Sequence, residues 1–280
     1  MKICMIPVCY NAHDDALRLL DSVDRALKIY SGFTLDVILA DNSTIPSNID
    51  ISSRRYGYAI HWLKNNNVGY FPAFNNALAR LQVESYDFVI VCNVDLVIAE
   101  NFFLILAKHP LARETGLIAP SILSEKNGRD LNPKIIHRPS ARKMKFMRMI
   151  CSSATLFTWY QKLASIREQS RARSQKRRYL SFSSAERIQN KPMYGAHGSF
   201  MVFTRHYFAM GAHVFYPRFL FGEEVFVAEQ LRIHGLKIEH VPGLRVFDKE
   251  HASTSQIRLD FIRAEHKKSY EYLYGQFYAK

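Results

Sequence analysis

Apolar residues run almost unbroken through Lys2–Val8. They then recur at helical spacing as Leu17, Leu20, Val23 and Leu27, which predicts a helix over Asp14–Tyr30. The exchange of short apolar runs for helical patterns continues down the chain. Leu35–Ala40 and Tyr58–Leu63 read as strands and Phe71–Leu81 as a helix. Asp87–Cys92 (DFVIVC) is apolar nearly throughout, the mark of a strand buried on both faces. Gly116–Pro120 reads as a weaker strand, after which the pattern fades until Pro192. Order returns with a strand at Ser199–Phe203, a helix over Glu223–Gly235 closed by its glycine, a strand at Lys237–Val241 and an amphipathic helix over Gln256–Tyr278. Strands alternating with helices predict the α/β class, with a mixed, mostly parallel sheet flanked by helices. No internal repeat is visible.

Composition narrows this picture. A chain of 280 residues that is 48% hydrophobic can bury one sizeable core. The pattern divides it into residues 1–137 and 192–255, two halves of one domain, around an insert at 138–191, with a C-terminal helix at 256–280. The four cysteines, Cys4, Cys9, Cys92 and Cys151, have no CxxC spacing, which favours a reducing compartment and speaks against a zinc site. The opening MKICMIPVCYN has too brief an apolar run for a secretory segment and reads as a core strand. No window has the roughly 18–20 uninterrupted apolar residues of a membrane span. The net charge of +13 is concentrated: residues 138–191 hold fourteen lysines and arginines against two acids, leaving +1 for all the rest.

In an open parallel sheet, ligands bind beyond the carboxyl ends of the strands. Three strand exits carry polar groups suited to that place: Tyr10-Asn11, Asp41-Asn42-Ser43 and Asn93-Val94-Asp95. Each alone is ordinary turn composition. Together they offer a carboxylate, Asp41, able to accept from a base imide N–H, and a hard oxygen ligand, Asp95, able to hold Mg²⁺ or Mn²⁺ against a diphosphate.

The ordered set resembles glycosyltransferase family 2. It comprises Tyr10-Asn11, Asp41-Asn42-Ser43, Asn67-Val68-Gly69 with Asn75 and Asn76, Asn93-Val94-Asp95 in the place of a DxD-like motif, Gly198 with Arg205, and Glu223-Glu224 behind Phe219-Leu220-Phe221-Gly222. The resemblance covers most of the chain outside the insert. It implies the GT-A fold and a nucleotide-sugar donor held by Tyr10, Asn11, Asp41, Asn67, Gly69, Asn75, Asp95 and Glu223. By the same resemblance Asp41 meets the base, Asp95 the ribose-diphosphate, and Asn93, Asp95 and His251 hold Mg²⁺ or Mn²⁺. Glu224 falls where the family keeps its catalytic base. Two departures stand out. Asn93 replaces a common Asp, and Phe226 and Gln230 occupy positions where the family often has Asp and Arg. The implied reaction is an inverting displacement. It moves a hexosyl or deoxyhexosyl group from a UDP- or dTDP-sugar to a hydroxyl of a growing, lipid-linked surface glycan.

The insert interleaves Met144, Phe146, Met147, Met149, Ile150, Leu156, Phe157, Trp159 and Leu163 with cations, as expected of a helix lying on an anionic membrane surface. Arg171–Arg178 adds pure charge. These features predict a cytoplasmic protein, peripheral on the inner face of the cell membrane. Two other readings compete: a nucleic-acid-binding protein that uses the basic segment, and an inactive glycosyltransferase-like binding module. The first leaves the acidic motifs and the near-neutral remainder unexplained, so no nucleic-acid partner is expected. A nucleotidyltransferase would need a glycine-rich phosphate loop near the first strand, which is missing.

Overall fold

A computed structural model describes residues 1–46, 55–164, 166, 193–249 and 258–279. They divide into two compact bodies: Met1–Arg138 with Pro192–Ala252, and Pro139–Lys191 with Ser253–Lys280.

The first body is built on an eight-stranded mixed sheet. Its strands are β1 (Lys2–Cys9), β2 (Thr34–Asp41), β3 (Ala59–Lys64), β4 (Phe88–Asn93), β5 (Leu96–Ile98), β6 (Thr115–Ser124), β7 (Phe200–Thr204) and β8 (Lys237–Asp248), in the spatial order β3-β2-β1-β4-β7-β6-β8-β5. The pairs β3-β2, β2-β1, β1-β4 and β6-β8 are parallel, and β7 and β5 run antiparallel to their neighbours. The helices are α1 (His13–Ile29), α2 (Tyr70–Leu78), α3 (Phe102–Lys108), α6 (Arg205–Ala209) and α7 (Glu223–Ile233).

Period-two alternation sorts the strand residues onto two faces. Ile3, Met5, Ile90, Cys92, Phe200 and Val202 join Leu19, Leu20, Val23 and Ala26 of α1 and Phe102, Phe103 and Leu106 of α3 in one core. On the other face Phe203 meets Phe74 of α2 and Tyr207 of α6, while Phe71 of α2 and Phe226 of α7 both pack on Tyr216. Helices on both faces leave the carboxyl ends of β1, β2 and β4 as a common edge.

The structure extends two strands beyond their sequence-level limits. β6 continues past Pro120 and β8 past Val241-Pro242-Gly243, because the pairing jumps from Pro120↔Val241 to Ser121↔Arg245 and lets residues 242–244 bulge out. A proline at a bulge costs no ladder hydrogen bond, so two local stop signals fall inside one continuous pair of strands.

The base of the excursion into the second body is fastened within the first. Ile135 and Gly195 form an antiparallel bridge. Beside it, the buried carboxylate of Glu229 on α7 accepts from Arg138 Nε at 2.6 Å, from Arg232 Nε at 2.8 Å and from the Tyr194 hydroxyl. Burial pushes the Glu229 pKa up, but the hydrogen bonds from Arg138, Tyr194 and Arg232 outweigh it and the net direction is down.

The second body contains α4 (Ala141–Ser152), a helix α5 at residues 154–164, and α8 (Leu259–Phe277). Ser140 caps α4 by accepting from the Lys143 N–H at 3.2 Å. Ile150, Cys151 and Phe157 form a small core with Tyr160, Ile262 and Tyr270, and Arg263 donates to the Cys151 carbonyl at 3.1 Å. Part of the apolar content of the insert is therefore consumed by packing inside this body. Arg171–Arg178 lies outside the described residues. No helix among the described residues is long and apolar enough to cross a membrane.

Candidate active site

The exits of β1 and β2 are laced together by main-chain and side-chain hydrogen bonds. Asn42 N–H donates to the Cys9 carbonyl at 2.8 Å, and Asn11 N–H donates to Ser43 Oγ at 2.8 Å. Asn11, at φ +50°, accepts from the N–H groups of Thr44 and Ile45 through Oδ1. Its side chain thus serves the scaffold of the turn, while the neighbouring Tyr10 ring is exposed.

Asp41 ends β2 fully buried. Its Oδ1 accepts from Ser43 N–H at 2.9 Å. Its Oδ2 receives Lys64 Nζ and Trp62 Nε1, both at 3.1 Å, with His13 Nε2 at 3.4 Å. Burial alone would raise its pKa; the Ser43 hydrogen bonds, Lys64 and Trp62 outweigh that and hold it at about 2. The register pair Asp41↔Lys64 explains the ion pair, since β3 ends level with β2. Lys64, Trp62 and His13 do not stand out in the sequence as site residues; the alternation of Trp62 and Lys64 onto one side of β3 is the signal it carries.

The sign of the pH effect follows from the depressed pKa. A carboxyl at about 2 when folded and 3.8 when unfolded contributes stability that is complete above 3.8 and disappears as pH falls through 2. Wild type should therefore lose its stability advantage over Asp41→Asn in that window. Acid unfolding followed by circular dichroism checks this; parallel acid limbs for the two proteins would contradict it.

Asn42 links this turn to α2 by donating from Nδ2 to the Gly69 carbonyl at 2.8 Å. Asn67 has φ +47°, and Gly69, the residue before α2, has φ +99°. A Cβ at Gly69 would stand 2.4 Å from the Phe219 carbonyl oxygen, the same atom that accepts from Tyr70 N–H at 3.0 Å. Backbone conformation and close approach both demand glycine. Gly69→Ala should cost about 2 kcal/mol or more, from strain and overpacking together, measured as a lowered urea midpoint. An unchanged midpoint would contradict it. Asn75 is partly buried on α2, and Asn76 donates to Asn65 Oδ1 at 3.0 Å.

Tyr70 carries the connection onward. Its hydroxyl donates to the Gly198 carbonyl at 2.8 Å, and its pKa is pushed well up, first by burial and then by the negative fields of Cys92, Glu223, Glu224 and Asp95. A Cβ on Gly198 would meet Glu224 Oε1 at 3.3 Å. The next residue, Ser199, accepts at its carbonyl from Asn93 N–H at 2.8 Å, where β4 ends. Asp41-Asn42, Gly69-Tyr70, Gly198-Ser199, Asn93-Val94-Asp95 and Glu223-Glu224 thus form one chain of neighbours along a single sheet edge. Arg205, by contrast, sits at the far end of β7, where it pairs with Asp87 at 3.3 Å.

The acidic pair is placed by an unusual turn. Phe221 (φ +68°) and Gly222 (φ +92°) are both left-handed, and Tyr216 donates to the Phe221 carbonyl at 2.7 Å. Glu223 and Glu224 then open α7, whose N-terminal end favours negative charge. Glu223 is buried, and burial followed by the Glu224 charge raises its pKa to about 8. At neutral pH Glu223 holds its proton beside its more exposed neighbour. Two carboxyl groups of unequal burial thus stand side by side at the start of α7.

His197 likewise does not stand out in the sequence. It lies beside Gly198, with Nδ1 2.8 Å from Ser199 Oγ, and Ser199 N–H donates to the same nitrogen at 3.3 Å. Nδ1 is therefore the acceptor and the ring proton sits on Nε2. Burial and then Lys134 lower its pKa to about 3, so the ring is neutral.

Two groups bear on a metal. Asn93 and Asp95 supply an amide oxygen and a carboxylate at the end of β4. That donor set fits a cation such as Mg²⁺, which takes one or two carboxylates and completes its shell with water and phosphate. His251 lies outside the described residues. The second group is Cys9, His13 and Asp41, whose ligand atoms all lie within 4.8 Å of one another and have the spacing to hold an ion. Here Lys64 already supplies positive charge to Asp41, and burial followed by the Asp41 and Asp15 charges keeps the Cys9 thiol at about 11 despite hydrogen bonds from Ala12 and Ser43. Those conditions disfavour a hard divalent cation.

No protein-family model matches the chain, and no curated protein matches it. Solved structures do, and they establish the fold. The chain is similar to GalNAc-T7 with UDP, GalNAc and Mn²⁺, at TM-score 0.59 and 13% identity over 98% of this chain and 48% of that one. It is similar to S. aureus TarS 1-349 in complex with UDP-GlcNAc, at TM-score 0.54 and 11% identity over 99% and 73%. A mannosyltransferase from Pyrobaculum calidifontis with GDP-Man and Mn²⁺ matches at TM-score 0.51 and 12% identity over 90% and 58%. The chain spans less than half of the longer TarS structure, 44%. Its architecture is the GT-A glycosyltransferase fold.

Proposed function

We propose that this protein is an inverting glycosyltransferase that uses a nucleotide-sugar donor. The observation that carries the reading is the convergence of Asp41, Asp95 and Glu224 on one sheet edge through Asn42, Gly69, Tyr70 and Gly198. Asp41, held ionised and buried behind Trp62, Lys64 and His13, would fix the rings and the charge that meet the base of a UDP- or dTDP-type donor. Tyr10, Asn11, Asn67 and Gly69 shape the adjoining turns, and Asn75 lies on the helix that follows. Asp95 and Asn93, with His251, would hold Mg²⁺ or Mn²⁺. A divalent cation bound there supplies Lewis-acid charge to a leaving diphosphate.

Glu224 removes the proton of the acceptor hydroxyl as that oxygen attacks the anomeric carbon and the bond from that carbon to phosphate oxygen breaks. The attack comes from the side opposite the leaving group, so configuration inverts. Glu223, buried beside it with its pKa raised by burial and by the Glu224 charge, is the less suited of the two to take that proton. The acceptor is the hydroxyl of a lipid-linked surface glycan.

Incubating the chain with UDP-, dTDP- and GDP-sugars, with and without Mn²⁺, tests the reading through release of nucleoside diphosphate. Metal-stimulated turnover of one donor is expected. Absence of turnover and of donor binding across the panel would overturn it, and would leave an inactive module of the same fold.

A further inference from the structure

Opposite their buried sides, α4 exposes a stripe of mixed basic and apolar residues and α5 an apolar one. On α4, Met144, Met147, Ile150 and Cys151 are buried, while Arg142, Lys145, Phe146 and Met149 occupy positions i, i+3, i+4 and i+7 of the opposite, exposed side. On α5, Phe157 is buried, and Leu156, Trp159 and Leu163 share an exposed stripe at i, i+3 and i+7. Phe146 is 50% exposed, Met149 55%, Trp159 66% and Leu163 51%, so four large apolar side chains of neighbouring helices stand mostly in water. The charge carried by these two helices has one sign, and, among the described residues, the exposed acids of this body, Asp260 and Glu271, belong to α8. Residues 139–166 contain Arg142, Lys143, Lys145, Arg148 and Lys162 and no acid at all. Lys162 Nζ lies 5.8 Å from the Trp159 ring centre, cation and aromatic side by side.

We infer that the outer face of α4 and α5 docks on an anionic lipid bilayer, lying in the headgroup region with Phe146, Met149, Trp159 and Leu163 inserted and the basic side chains against lipid phosphate. Aromatic and aliphatic side chains on one face with Lys and Arg around them form the composition that seats a helix in a membrane interface. The absence of acids supplies the charge complementarity, since each basic group near an anionic leaflet strengthens binding about fivefold. A protein partner would need acidic chemistry to match the same face. The bilayer offers both the apolar layer and the anionic phosphates. This inference sharpens the proposed use of a lipid-linked acceptor, yet it rests on the second body alone and survives or fails separately from donor chemistry.

The test is co-sedimentation of the full chain with vesicles of phosphatidylcholine alone and of phosphatidylcholine with phosphatidylglycerol, at low and high salt. Binding to the anionic vesicles is expected, weakened by salt. Arg142→Gln with Lys143→Gln and Lys145→Gln should reduce it about 100-fold, three basic groups at about fivefold each. Trp159→Ser with Leu163→Ser should also release the protein, with its thermal unfolding and any donor hydrolysis unchanged. The chain has two tryptophans, so in a Trp62→Phe background the blue shift of Trp159 on vesicle addition reports insertion directly. Equal binding to neutral and anionic vesicles would overturn the inference. So would a concentration-dependent dimer abolished by Trp159→Ser with Leu163→Ser, or tight binding to single-stranded oligonucleotide without vesicle binding.

Discussion

Glu224→Gln is expected to lower kcat by about 10²–10⁴-fold, the usual contribution of a positioned general base, with little change in donor affinity. The substitution keeps size and hydrogen-bonding shape and removes only the ability to take a proton. Glu224 is the partly exposed member of the pair and rests against Gly198, next to the Tyr70 contact that ties the edge together. Donor affinity should persist because Asp41 and Asp95 are untouched. Single-turnover transfer or donor hydrolysis measures the loss, and calorimetry measures the retained binding. A variant that turns over at the wild-type rate would remove Glu224 from the chemistry.

Glu229→Ala is expected to be the most damaging substitution for stability. Three donors, from Arg138, Arg232 and Tyr194, converge on this one buried carboxylate. Removing one partner of a buried ion pair typically costs 3–5 kcal/mol; because Arg138 and Arg232 are about half exposed and can find water, about 3 kcal/mol is expected here. Arg138 and Tyr194 stand on either side of the 139–191 excursion, so the loss should also free its two ends. In a protein of this size each kcal/mol shifts Tm by about 2–4 °C, so a fall of about 6–12 °C is the readout in calorimetry. Hydrogen exchange at residues 193–196 should rise with it. A shift under about 2 °C would show that the network is worth no more than a surface ion pair.

Much of this architecture is legible in the residue pattern, for identifiable reasons. DFVIVC and Leu35–Ala40 read as strands from their β-branched apolar runs and form β4 and β2, and the helical spacing of Leu17, Leu20, Val23 and Leu27 is realised in α1, with Leu17, Leu20 and Val23 buried. β5 escaped because three residues cannot establish a period, and α3 because FFLILAK is apolar on nearly every side and reads equally as strand or helix. β6 and β8 were cut short at Pro120 and at Val241-Pro242-Gly243, since a bulge that absorbs these residues is a property of the pair of strands and invisible in either one.

The site divides in the same way. Asp41, Asp95 and Glu224 stand out because they follow strands or open a helix, which local sequence reveals. Lys64, Trp62 and His13 come to Asp41 through strand register and through the start of α1, a relation between distant segments. Asn11 and Ser43 had the composition of ligand contacts, but much of their hydrogen bonding joins two loops. The two left-handed residues before Glu223 explain how the acidic pair is aimed, and a left-handed Phe221 is a backbone state that its residue type does not reveal.

Everything proposed for the chemistry depends on the end of β4 engaging a donor diphosphate. Isothermal titration of the chain with the nucleotide-sugar it turns over, with and without Mn²⁺, and again with Asp95→Asn, addresses this most directly. Expected is binding that strengthens with Mn²⁺ in the wild type and loses both affinity and Mn²⁺ dependence in Asp95→Asn. Equal affinity in the two proteins, with or without Mn²⁺, would contradict the account.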